Sequence, residues 1–153
     1  MPPRYSVAFS PDPEFESAPR KRALSALARR ALDAEDVASP AQISIVLTDD
    51  RAVRRLNRRY RATDSTTDVL SFAFGEGPAF ATPPGTARQL GEVVISYPTA
   101  LRQAQRAGHN VEDELAHLLV HGVLHVLGYD HETDSEEGKM RAREDAILGR
   151  PAH

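Results

Sequence analysis

Cysteine is absent from this sequence of 153 residues. The protein can therefore form neither a disulfide framework nor a thiolate metal site, and any bound metal must use His, Asp or Glu side chains. No segment approaches the ~20 consecutive apolar residues that a membrane-spanning helix needs. The N-terminus also lacks the apolar segment of a signal peptide. We expect a single cytoplasmic domain over residues 1–153 without a membrane partner, and the sequence leaves the oligomeric state open.

Lysine is scarce, because arginine supplies 17 of the 19 basic residues. A net charge of −3 does not by itself indicate a nucleic-acid-binding protein. Six arginines nevertheless fall between residues 51 and 61, on a predicted helix. Four of them, Arg51, Arg55, Arg58 and Arg59, form either an ordinary solvated helix face or a surface that contacts RNA phosphates. Arginine suits the second role because its planar guanidinium can donate two hydrogen bonds to one phosphate.

Hydrophobic periodicity predicts strands and helices in one α+β domain. The predicted strands are 5–9, 42–47, 69–74 and 90–96, and the predicted helices are 20–32, 50–60, 96–107, 111–127 and 135–148. Residues 75–89 contain three prolines and three glycines, which predicts a long loop. The helix over 111–127 is apolar around most of its circumference, so we expect it to be the central, buried helix.

Three histidines, His121, His125 and His131, follow the pattern H-x3-H-x5-H at the end of this helix. The first two lie one turn apart on the same helix face. Gly128 can adopt the left-handed conformation that ends a helix, so the chain can turn back and bring the third histidine beside them. Three neutral imidazoles suit one zinc ion with an open coordination position, where a water would be activated for attack.

His117 shares the helix face of His121 and His125, but the three cannot bind one ion together. Residues eight apart are separated by ~12 Å along a helix, at a rise of ~1.5 Å per residue. Only the pair His121 and His125 is followed at once by a helix breaker and another histidine, so His117 is expected to pack or to support a ligand. Asp130 either orients a ligand imidazole or is simply a turn residue.

The same spacing occurs in metzincin peptidases, whose general base is a Glu directly after the first histidine. That position is Gly122 here, which can do no acid–base chemistry. A zinc-dependent peptidase-like activity would need a carboxylate from elsewhere. Another metal hydrolase, or a non-catalytic assembly factor with a structural zinc, also fits the three histidines.

The motif H-G-x-L-H-x-x-G-Y-D-H over residues 121–131 resembles the signature of the YbeY family of single-strand-specific endoribonucleases and rRNA maturation factors. Residues 56–61, 67–72 and 90–96 also resemble that family. The resemblance implies an α+β fold in which a small mixed β-sheet packs on helices, with a zincin-like metal helix. It implies a metal-dependent endoribonuclease (a nuclease and hydrolase) with one zinc per chain, acting in small-subunit (16S) rRNA processing and ribosome quality control.

Within this resemblance, Arg61 matches the functional arginine of the family, and we expect it to stabilise negative charge on the phosphate that is cleaved. Alternatively it is a surface arginine or a partner of Asp64 or Asp68. Glu92, Asp68 and His117 each remain possible general bases, and the sequence does not choose among them. No aromatic cluster indicates base stacking, so weak sequence preference is expected.

Overall fold

The computed structural model describes residues 4–74, 76 and 87–150 and has an α+β fold. Its four strands are β1 (Tyr5–Pro11), β2 (Ala41–Thr48), β3 (Val69–Ala73) and β4 (Arg88–Ser96). Its α-helices are α1 (Ala18–Ala34), α2 (Asp50–Arg61), α3 (Tyr97–Ala107), α4 (Val111–Val126) and α5 (Asp134–Leu148). A short 3-10 helix over Pro13–Phe15 joins β1 to α1.

The strands form one mixed sheet in the order β1-β2-β4-β3. Strands β1 and β2 are parallel, as are β2 and β4, whereas β3 runs antiparallel to β4 at the edge. This confirms the expected mixed sheet packed on helices. The strand predicted to start at residue 90 starts two residues earlier, because Arg88 and Gln89 pair with Ala41 and Gln42 before a bulge.

The two faces of the sheet bury different helices. On one face, inward residues of β2 and β4 such as Ile45 and Val93 are fully buried with α1 and α4. On the other face, Phe72 and Val94 pack against Val53 of α2. Successive strand residues point to opposite faces of the sheet. Each side chain of β4 can therefore be assigned either to the face that packs on α1 and α4 or to the face that packs on α2.

Residues with favourable capping chemistry stand at the helix termini. Asp49 precedes α2, and its carboxylate accepts the backbone N–H of Ala52 at 2.9 Å. Gly108 ends α3 in the left-handed conformation. No helix within the described ranges has the length and apolar character that crossing a bilayer requires. Most of the predicted 75–89 loop, namely residues 75 and 77–86, lies outside the described residues.

Candidate metal centre

The buried helix α4 delivers two of the three motif histidines in its last turns. Its N-terminus is capped by Asn110, whose side chain accepts the N–H of Asp113 at 2.8 Å. The helix ends at Val126, and Gly128 then adopts a φ of +107°. This positive φ, which favours glycine, reverses the chain immediately after the helix, as the sequence predicted. His131 follows three residues later and is exposed.

The three histidines converge as their spacing predicted. One ring nitrogen from each of His121, His125 and His131 lies within 4.8 Å of the others. The Nε2 atoms of His121 and His125 are 3.1 Å apart. Two nitrogens bound tetrahedrally to one zinc at ~2.05 Å would be about 3.4 Å apart, so these two nitrogens need to move apart by only about 0.3 Å to bind one ion. An all-imidazole donor set with no thiolate fits zinc.

The electrostatics favour the neutral ring that a metal ligand requires. Burial lowers the pKa of His125, and the neighbouring charges that His121 and His131 would carry lower it further. A backbone hydrogen bond with Tyr129 opposes this shift without reversing it. The imidazole of His125 therefore offers a lone pair at a lower pH than a free histidine would.

A cavity of about 690 Å³ opens onto the three histidines. Its wall also includes Arg61, Asp68, Ser71 and Asp130. The volume lies within the range of typical small-ligand pockets. A substrate group can therefore approach the histidines from this side.

Sequence reasoning missed one residue of this site, the carboxylate of Glu144 on α5. Its Oε2 lies 2.6 Å from Nδ1 of His121, and its Oε1 lies 3.3 Å from Nε2 of His117. Burial alone would raise the pKa of Glu144, but the hydrogen bonds from His117 and His121 outweigh it and hold the pKa at about 2. The sequence does contain one indication of its role. Glu144 is a charged residue at a position of α5 that shares the buried stripe of Met140 and Ile147.

Gly122 shows why a peptidase base is missing from the motif. A Cβ atom at this position would lie 2.6 Å from Cγ1 of Val93 and 3.1 Å from Oγ of Ser71. The residue after the first histidine therefore faces the sheet rather than the cavity. A glutamate here would collide with β4, so the general base of a peptidase could not stand at this position.

Arg61, at the end of α2, reaches the same cavity. Its Nη2 donates to the backbone carbonyl of Ser71 at 2.6 Å, and its guanidinium carbon lies 4.7 Å from the centre of the Phe72 ring. A weak ion pair joins it to Glu76 at 4.0 Å. The hydroxyl of Ser71 donates to the carbonyl of Gly122 at 3.0 Å, so one residue of β3 contacts both this arginine and α4.

The alternative partners considered for Arg61 are occupied elsewhere. Asp64 accepts from Arg54 at 2.8 Å, and Oδ2 of Asp68 accepts from Gln103 at 3.2 Å. Neither carboxylate forms an ion pair with Arg61 in the described part of the chain. The arginine thus keeps donor capacity toward the cavity.

The fold places the candidate general bases in different parts of the molecule. Asp68 lies in the cavity wall, whereas His117 contacts Glu144 behind His121. Asp130 accepts the backbone N–H of His131 at 2.7 Å, which is the contact of a turn residue. Glu92 pairs with Phe72 across the antiparallel strands and so lies on the α2 face of the sheet, away from the histidines. Glu92 is therefore not among the residues of the cavity wall, and the fold gives its role as a base no support.

The arginine face of α2 is solvent-exposed. We use this name for Arg51, Arg55, Arg58 and Arg59, all four of which are exposed. None of them forms an ion pair with a described residue, in contrast to Arg54 on the same helix. Arg59 also lies over the ring of Tyr60, with 5.4 Å between the guanidinium carbon and the ring centre. The face can therefore present its positive charges to an anionic partner.

Comparison with known proteins gives a consistent result. A family model described as Endoribonuclease YbeY matches residues 11–151. A relative from Roseiflexus castenholzii named Endoribonuclease YbeY is 54% identical over 119 residues, which are 77% of this chain and 75% of the relative. Another of that name, from Moorella thermoacetica, is 50% identical over 129 residues, or 82% of each chain. A solution structure of a Thermotoga maritima protein covers 94% of this chain and 89% of its own, with a TM-score of 0.58. At its 19% identity, this last likeness supports the fold alone.

Proposed function

The chain belongs to the YbeY endoribonuclease family, and on that premise we propose that it is a zinc-dependent endoribonuclease of single-stranded RNA. We propose further that it acts in the cytoplasm on the rRNA of the small ribosomal subunit, as a 16S rRNA maturation and quality-control factor. The observation that carries the proposal is the convergence of three imidazoles and one arginine on a single cavity.

In this proposal His121, His125 and His131 hold one zinc ion per chain. The bound ion would act as a Lewis acid on the phosphodiester and make an attacking water more acidic. No fourth protein ligand joins the three histidines within the described ranges. Structural zinc sites are normally closed by four protein ligands, so this favours a catalytic zinc over a structural one.

Arg61 would bind the scissile phosphate. Cleavage builds negative charge on the phosphorus oxygens, and a guanidinium already fixed in place stabilises that charge without reorganising. The hydrogen bond to Ser71 and the contact with Phe72 hold Arg61 at the cavity wall. Among the candidate bases Asp68 shares this wall, so it is the carboxylate that we assign to proton transfer.

The arginine face would bind the RNA backbone next to the cavity. Arg51 and Arg58 are ~10 Å apart along the helix axis, at a rise of ~1.5 Å per residue, which is enough to contact more than one phosphate. The exposed face continues along the helix to Arg61 in the cavity wall. This arrangement supports binding to the backbone rather than to base edges, so weak sequence preference follows.

Metal analysis combined with a cleavage assay tests the proposal. Purified wild type, His125→Ala and Arg61→Ala are incubated with labelled single-stranded RNA, a duplex of the same sequence and a casein peptide. We expect about one zinc per wild-type chain, cleavage of the single strand only, and an Arg61→Ala variant that keeps zinc but loses cleavage. Arg106→Ala, an exposed arginine on α3, is the matched control.

Three outcomes would contradict the proposal. Peptide cleavage by the wild type would support the peptidase-like reading. Zinc binding without cleavage of free RNA or of rRNA in small ribosomal subunits would support a structural zinc in an assembly factor. Cleavage that survives complete zinc removal would exclude a zinc-dependent reaction.

A further inference from the structure

Glu144 is a buried acid that the cleavage chemistry does not use. Only 5% of its surface is exposed, and it occupies the stripe of α5 that packs on α4. Burying a charge is costly unless hydrogen bonds compensate it. Two histidines of α4 provide those bonds, one to each carboxylate oxygen.

The contact with His121 determines which nitrogen of that ring carries the proton. An ionised carboxylate can only accept hydrogen bonds, so Nδ1 of His121 must be the donor at 2.6 Å. Once Nδ1 carries the proton, the lone pair of the neutral ring is on Nε2, the atom that faces His125.

His117 restrains the same carboxylate from the opposite side. Its Nε2 lies 3.3 Å from Oε1 of Glu144, and it precedes His121 by one helical turn. Rotation of the Glu144 side chain would break both contacts together. His117 therefore has a place in the site although it does not belong to the group of His121, His125 and His131.

A second metal ion is the competing explanation, because His117, His121 and Glu144 could themselves form a ligand group. The distances decide between the two explanations. Two ligand atoms of one zinc are about 3.4 Å apart, whereas the 2.6 Å between Glu144 and His121 is the length of a charge-assisted hydrogen bond. The 2.6 Å contact therefore favours a hydrogen-bonded support over a second metal site.

We infer that Glu144 is a positioning residue, which holds His121 as the Nδ1–H tautomer so that its Nε2 points at the metal, and that His117 holds Glu144 in turn. Carboxylates behind ligand histidines commonly set ring orientation in this way, and losing one typically costs 10–100-fold in metal affinity. This inference rests on the proposed function only in taking His121 as a zinc ligand.

Two measurements on the purified full chain test the inference. Ring ¹⁵N chemical shifts of His121 in the metal-free protein, above the pH at which imidazole titrates, report the tautomer without any metal. Competition with a chelator gives the zinc dissociation constant of the wild type, Glu144→Ala and Glu144→Gln. Glu16→Gln is the control, because it removes an exposed glutamate between the 3-10 helix and α1.

We expect an Nδ1–H ring in the wild type and zinc binding weakened 10–100-fold in Glu144→Ala. The loss should be smaller in Glu144→Gln and absent in Glu16→Gln. The glutamine is less disruptive because its amide oxygen can still accept from Nδ1–H. An Nε2–H ring in the wild type, or a folded Glu144→Gln and Glu144→Ala with unchanged zinc affinity, would overturn the inference. If Glu144→Ala fails to fold, the wild-type tautomer and Glu144→Gln decide.

The proposed function and this inference can be refuted independently of each other. A wild type that shows the expected tautomer and zinc affinities but does not cleave RNA would refute the ribonuclease proposal alone. Cleavage with an Nε2–H ring would refute only the role of Glu144.

Discussion

Helices α4 and α2 carry the two sets of candidate functional groups, and the two helices differ in their exposure to solvent. Helix α4 is largely buried, and its histidines contact groups from other elements, namely Glu144 of α5 and His131 beyond the helix. Helix α2 buries only Val53 and Asn57 fully, and its arginine face is exposed. A metal site depends on distances of a few tenths of an ångström, whereas attraction between exposed charges and a polyanion tolerates much looser placement.

The same difference predicts how mutations will act. Substitutions at the α4 site should abolish or strongly reduce activity because each group there depends on the others. Substitutions on the arginine face should act in small, nearly additive steps. Five predictions test this contrast, in order of decreasing effect.

His125→Ala should have the largest effect. It removes one of three proposed ligands, so zinc should be lost and the cleavage rate should fall about a thousandfold or more, since the metal supplies several kcal/mol of transition-state stabilisation. Zinc content and single-turnover cleavage measure both effects. His109→Ala, in the turn before α4, is a histidine control that should keep zinc. Full zinc content in His125→Ala would contradict the assigned ligand set.

Arg61→Ala should reduce kcat by about 10²–10³-fold while zinc content stays at the wild-type value, as expected for loss of one preorganised donor to the transition state. Arg61→Lys should recover only part of this, because an ammonium cannot reproduce the fork of a guanidinium. Cleavage rates under saturating RNA provide the measurement. An effect confined to KM would instead place Arg61 with the arginine face.

Gly122→Ala should destabilise the fold by about 1–3 kcal/mol, because the added methyl overpacks the contact between α4 and β4. Denaturant unfolding measures the change. Gly138→Ala on α5 is the control, since a Cβ there meets no atom within 4 Å. That control should raise stability by about 0.5–1 kcal/mol through its helix propensity. Equal stability of Gly122→Ala and the wild type would show that α4 is less tightly packed than the structure indicates.

Arg55→Ala and Arg58→Ala should each weaken RNA binding only modestly and leave kcat unchanged. Each should also lower the slope of log affinity against log salt by about 0.7, the value for one phosphate contact on a single strand. Salt titrations of binding compare them with Arg22→Ala, an exposed arginine on α1. Slopes identical to the wild type would assign these residues to an ordinary solvated face.

Asp50 should produce the smallest effect, a change in acid stability. Burial alone would raise its pKa, but hydrogen bonds from Ser96, Thr99 and Arg102 lower it to about 2, from an ordinary value of 3.8. Because the folded pKa is lowered, its contribution to stability is present above pH ~4 and disappears as the pH falls toward 2. Melting temperatures across this interval should fall less steeply for Asp50→Asn than for the wild type. Parallel curves would show that this anchor between α2 and α3 contributes nothing.

The sequence alone determined the secondary structure and the convergence of the three histidines, because both depend on interactions between residues close together in the chain. The helical period placed His121 and His125 one turn apart, and Gly128 allowed the reversal that adds His131. Strand alternation and helix periodicity predicted the four strands and five α-helices of the described residues to within a few residues. These features could be predicted because each depends on residues that are neighbours along the chain.

Tertiary packing alone decided the rest. Glu144 meets His121 across 23 residues, because α5 packs its buried stripe against α4. Glu92 was a reasonable candidate base until the pairing of β4 with β3 placed it on the α2 face. Gly122 looked like a missing catalytic residue, whereas its contact with Val93 shows that the sheet leaves no room for a side chain. Each of these facts depends on which elements meet and in which register, and local sequence patterns do not specify that.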